Sequence, residues 1–88
     1  MPSLRVVSLQ HLALGRAIRD QRKRLGLSQD TLALRAGIDA TYLSGVENGK
    51  RNPGWHIVTR LAEELDLSLP TLTYRAELIA KAEAERGW

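Results

Sequence analysis

The chain of 88 residues has no cysteine. That absence rules out a disulfide framework, a thiol nucleophile and a Cys-type zinc site. No apolar run approaches the roughly 20 residues that span a bilayer, and the opening "MPSLRVVSL" is too short and too weakly apolar for a signal peptide. These two absences predict a cytoplasmic protein with no membrane contact. Catalytic signatures are missing as well: there is no Gly-rich phosphate loop, no G-x-S-x-G elbow and no carboxylate cluster at metal-ligand spacing. The expectation is a protein that is not an enzyme and holds no metal or cofactor. Strand signals are confined to "LRVVSL", which cannot build a sheet. Repeats, low complexity and flexible linkers are not found, and the length is near the lower end of what one core stabilises, so a single domain over residues 1–88 is expected.

What is present is positive charge, unevenly placed. The net charge is +3, with ten basic and four acidic residues up to position 60 and three basic and six acidic beyond it. A basic body with an acidic tail suits a polyanionic partner, although a solvated basic face gives the same count.

Helical periodicity runs through the whole sequence and predicts an all-α fold of five helices. Ser8 N-caps the first, which runs to about Leu25 with Leu14, Ile18, Gln21 or Arg22, and Leu25 on its inner stripe. Gly26 ends it. Ser28 caps a second helix over about 29–36, with Asp30 favourably placed in its first turn and Leu32, Ala33 and Ala36 inside. Gly37 stands at its C-terminal end, where a positive φ is needed. Asp39 then caps a third helix over about 40–47, burying Leu43 and Val46, and Ile38 between the two tucks into the core. A fourth helix, about Trp55 to Leu65, turns Trp55, Val58, Leu61, Ala62 and Leu65 inward behind Gly54 as a weak cap. A fifth starts after Ser68 and extends to about Arg86, with Pro70 tolerated in its first turn.

The stretch "SQDTLALRAGIDATYLSGVENG" thus reads as two short helices set at a steep angle by a three-residue turn, a helix-turn-helix. With "LSQ" opening the second helix, "AG" closing it, "ENGKRNP" after the third and "LAEELDLS" between the fourth and fifth, Leu25 to Leu72 resembles the lambdoid phage repressor and Cro DNA-binding domain, the XRE family. With the first helix the likeness covers about three quarters of the chain, and "TYLS" also occurs in the family's small restriction-modification controller proteins. The resemblance implies a compact lambda-repressor-like domain with an extended C-terminal helix, acting as a transcription regulator on double-stranded DNA. It implies that the third helix enters the major groove. Ala40, Thr41, Ser44 and Gly45 fall on base-reading positions, where relatives often carry Gln or Arg. Ala40 offers only a methyl to a thymine, and Thr41 or Ser44 bond either base type, which is weak discrimination. The alternative for Thr41 and Ser44 is that of ordinary solvent-facing polar residues.

Phosphate contacts are better supplied. Gln29 in the first turn of the second helix and Asn48 after the third are placed to grip phosphates, with Lys50, Arg51 and Asn52 in an exposed loop beside them. Arg16, Arg19 and Lys23 share a face of the first helix that serves DNA or simply solvent. Tyr42 stacks on sugar or hydrogen-bonds a phosphate, or packs against the second helix. Trp55 is expected in the core, and His11 and His56 on the surface. The resemblance also implies a partly buried ion pair between Arg22 and Glu47, holding the third helix to the first. Beyond Leu69, the strip Leu72, Ala76 and Ile79 has no cover if the core is complete by Leu72, which predicts a homodimer interface and a pair of recognition helices on an inverted repeat. The other covers are a fraying tail or a fold back onto the first helix with "LRVV". An antitoxin, with the acidic tail covering a toxin, is the alternative function.

Overall fold

The computed structural model describes residues 7–87. Its helices are α1 (Leu9–Arg24), α2 (Gln29–Ala36), α3 (Ala40–Glu47), α4 (Trp55–Glu64) and α5 (Leu69–Glu85), and no strand occurs among the described residues. Residues 4–6, most of "LRVV", lie outside them.

Three of the five helices start on a serine whose hydroxyl accepts from the backbone N–H three residues on: Ser8 from His11, Ser28 from Thr31 and Ser68 from Thr71. Each such cap satisfies a first-turn donor that has no intrahelical partner. Asp39 holds the same position before α3 but makes no side-chain cap. Gly37 closes α2 in the left-handed region at φ 72°, so its N–H and that of Ile38 reach back to the carbonyls of Leu34 and Ala33. The direction of the chain into α3 follows from that turn.

The core is aliphatic. Ile18, Leu32, Leu43, Val46, Leu61, Leu65 and Leu72 are fully enclosed, drawing on all five helices, and Ile38 packs half-buried against them. Fully burying each such side chain stabilises the fold by about 1.5–3 kcal/mol relative to exposure.

Three expectations are corrected. Leu25 lies past the end of α1 and is 40% exposed. Trp55 is 72% exposed: as the first residue of α4 its side chain leans toward the helix N-terminus, past the layer formed by Val58, Leu61 and Ala62, and Pro53 is buried beside it instead. The third concerns α5. Its longest contact is with α1 of the same chain, Leu72 is enclosed in the core, and Ala76 and Ile79 pack half-buried against that core. The strip therefore has a cover within its own chain. Ala13 and Ala17, both buried on α1, are small enough to let a helix lie close.

Polar contacts fix this seam. Gln21 donates from Nε2 to the Leu65 carbonyl at 3.0 Å and accepts from Arg75 at 2.8 Å. Arg16 donates to Glu83, and Arg86 donates to the other Glu83 oxygen at 2.8 Å. The Arg16 hydrogen bond, outweighing the opposing effect of burial, holds the Glu83 carboxyl below its ordinary range. A carboxyl shifted down on folding adds stability above its unfolded pKa and loses it as pH falls through the folded one. Glu83→Gln should therefore lower the melting temperature at neutral pH, and its gap to the parent protein should narrow in melts taken to acid, through and below the ordinary glutamate range. A constant gap across that range would show that Glu83 ionisation contributes nothing.

Candidate nucleic-acid interface

At the junction of α1, α2 and α3 lies the buried pair. Arg22 donates from Nε to Glu47 Oε2 at 2.7 Å and from Nη2 to Oε1 at 2.9 Å, a two-pronged contact, while Nη1 reaches the Leu27 carbonyl at 2.8 Å. Both side chains are almost wholly removed from solvent. Gln29 completes the cluster, donating from Nε2 to Glu47 Oε1 at 2.9 Å. One of its two amide hydrogens is thereby turned inward, which corrects the picture of a free amide aimed at phosphate. No buried side-chain polar atom among the described residues lacks a partner.

α3 rests on α1 at two glycines. A methyl at Gly15 would meet the Val46 carbonyl oxygen at 2.2 Å and the Glu47 backbone at 2.7 Å, so the two helices touch backbone to backbone. Gly49, at φ 73°, turns the chain after α3 and lies against Leu12, its would-be methyl 2.7 Å from that Cα. Sequence periodicity ignored both. A glycine inside a strong helix such as α1 is itself the available signal of a close approach.

The outward side of α3 carries Thr41, Ser44, Gly45 and Asn48, at helical spacings of three and four. Thr41 and Asn48 are exposed, and Ser44 and Gly45 partly so. Ala40 and Tyr42 pack half-buried against the core, each keeping part of its side chain at the surface. Asn48 donates from Nδ2 to the Ser44 carbonyl at 2.8 Å, closing the helix end with half of its amide.

Lys50, Arg51 and Asn52 are exposed in the loop that follows. His11, expected alone on the surface, is half-buried: Nε2 is hydrogen-bonded to Asn52 Oδ1 at 2.9 Å and Nδ1 to the Ser8 hydroxyl at 2.6 Å. The first contact engages the Asn52 amide oxygen and leaves its amide hydrogens to other acceptors. His56 is exposed. Of the basic trio on α1, Arg16 is committed to Glu83, whereas Arg19 and Lys23 form no salt bridge among the described residues. They line a polar cleft with Arg22, Gln29, Glu47 and Asn48. Because Arg22 and Glu47 neutralise one another, the cleft presents two net positive charges beside the start of α2. Cations next to the free amides of a helix start bind an oxyanion.

Comparison with known proteins places this arrangement. A helix-turn-helix family model matches residues 18–72. An HTH-type transcriptional regulator of Mycobacterium tuberculosis is 35% identical over 72 residues, covering 82% of this chain and 51% of that protein. The chain thus spans about half the length of curated relatives it matches. The crystal structure of the restriction-modification controller protein C.AhdI from Aeromonas hydrophila superposes with a TM-score of 0.68 at 39% identity, covering 69% of this chain and 92% of that one. The clp gene regulator ClgR from Corynebacterium glutamicum shares the fold over 91% of this chain and 84% of its own, with a TM-score of 0.85 at 24% identity. With five helices, the two-helix unit at 29–47 and a match over most of its length, the chain belongs to the XRE-type helix-turn-helix family of DNA-binding transcription regulators, with the lambda-repressor-like all-α fold.

Proposed function

We propose that this chain regulates transcription by binding a specific double-stranded DNA site as a homodimer on an inverted repeat, with α3 in the major groove. The observation that carries the reading is the cation-lined cleft of Arg19 and Lys23 at the start of α2, which meets the exposed stripe of α3 at Asn48. Phosphates seated there and at Lys50 would hold Thr41 and Ser44 against base edges, the cleft positioning and the stripe reading. Gln29, Asn48 and Asn52 serve phosphates with the amide hydrogens that their internal bonds leave over.

Leu72, Ala76 and Ile79 cannot supply the pairing surface as a free strip, since α1 covers it. α5 still offers Tyr74, 61% exposed, and Leu78, 50% exposed, one helical turn apart. An inverted repeat on one face of the duplex requires of such a pair that its two recognition helices lie roughly 34–36 Å apart.

Footprinting the purified chain on DNA upstream of its own gene, with binding titrated against salt, tests this reading. Two symmetric protected half-sites are expected. Arg19, Lys23 and Lys50 from each of two protomers neutralise about six phosphates, so log K should fall with log salt at a slope of about −5. A flat salt response, or no duplex bound at low salt, would overturn it.

A further inference from the structure

The side chains that α3 itself turns outward are short, yet one long cationic side chain lies against the helix at Gly45. A methyl built on Gly45 would sit 2.7 Å from Arg51 Cγ, 3.4 Å from Nε and 3.6 Å from Cδ. The Arg51 stem therefore occupies the trough that the glycine leaves, up to the Nε of its guanidinium. Resting on the proposed DNA binding, we infer that Arg51 reads a base, a guanine in each half-site, and that Gly45 exists to seat it.

Anchors on both sides of Arg51 hold it in place. Before it, the Gly49 N–H bonds the Val46 carbonyl at 3.1 Å and the Lys50 N–H bonds the Gly45 carbonyl at 2.8 Å. After it, Asn52 is held by His11 at 2.9 Å and Pro53 is buried. A side chain launched from a fixed backbone and laid along a helix has fewer conformations to lose on binding. No acid pairs with Arg51 among the described residues, so its donors are available. Its planar fork matches O6 and N7 of guanine in the major groove, the contact that alanine, threonine, serine and glycine on α3 cannot make. Lys50 next to it has no such trough and remains a phosphate contact.

Selection from a randomised duplex library, with the full chain and with Arg51→Lys and Gly45→Ala, tests the assignment. The parent protein should enrich a motif with a guanine at one position of each half-site. Arg51→Lys keeps the charge, so the salt slope should hold, while preference for that guanine falls roughly 5- to 150-fold. Gly45→Ala leaves Arg51 in the sequence but evicts it from the trough, and should lose the same guanine; melting curves check that both variants are folded. If Arg51→Lys and Gly45→Ala both enrich the parent motif unchanged, or the motif holds no guanine, Arg51 is a phosphate contact and the inference fails. If the parent chain enriches no duplex, DNA binding itself fails, a distinguishable result that overturns this inference with it.

Discussion

Glu47→Ala should cost about 3–5 kcal/mol of folding free energy, because it strands the Arg22 guanidinium in a site almost closed to water. One carbonyl, that of Leu27, would remain to that cation, and Gln29 would lose its acceptor too. For a domain whose total stability is of the order of 5–15 kcal/mol, a loss of that size removes a large part of it. Each kcal/mol corresponds to about 4–8 °C in Tm for a chain of this size. Glu85→Ala, an exposed control on α5, should change little. Combining Arg22→Met with Glu47→Leu should recover much of the loss, since exchanging a whole buried pair for apolar side chains is often neutral or better. Two single substitutions with small, additive effects in chemical denaturation would show that the pair holds nothing together.

Gly15→Ala is expected to reverse the ordinary helix rule. In an exposed helix interior the change favours folding by about 1 kcal/mol. Here the new methyl would meet the Val46 carbonyl oxygen at 2.2 Å and the Glu47 backbone at 2.7 Å. Both obstacles are backbone, which cannot rotate aside as a side chain can. α1 and α3 must separate, which opens the core at Val46 and disturbs the Arg22–Glu47 geometry together. A net loss of about 1–3 kcal/mol or more is expected from such overpacking, read as a lower urea midpoint at unchanged m-value. A variant as stable as its parent would mean that the two helices are not in backbone contact. With α3 as the proposed recognition helix, loss of its seat against α1 should also make the same variant bind DNA more weakly than its residual folded fraction accounts for.

The amino-acid sequence by itself determined where the helices lie and to which family the chain belongs. Serines at positions 8, 28 and 68, the glycine at 37 and apolar residues at spacings of three and four act within one or two turns, and local signals of that kind survive without knowledge of the fold. The resemblance across "LSQ", "AG" and "ENGKRNP" brought Arg22 and Glu47 to notice, which no local pattern would have joined across 25 positions. Tertiary structure alone decided what covers each face and which partner each polar group takes. Periodicity marks Leu72, Ala76 and Ile79 as apolar, but α1 covers them because its buried alanines leave room for α5. It gives Trp55 an inward phase, but α4 begins where the core ends. Gln29, Asn48, Asn52 and Arg51 are all plausible donors to a phosphate when read in line. Their different surroundings follow from distances across the fold: Gln29 lies beside a buried carboxylate, Asn48 beneath a helix carbonyl, Asn52 beside His11, and Arg51 in a trough made by a missing side chain. A hydrogen bond or a close packing contact depends on separations of a few ångströms in space, and spacing along the chain does not encode them.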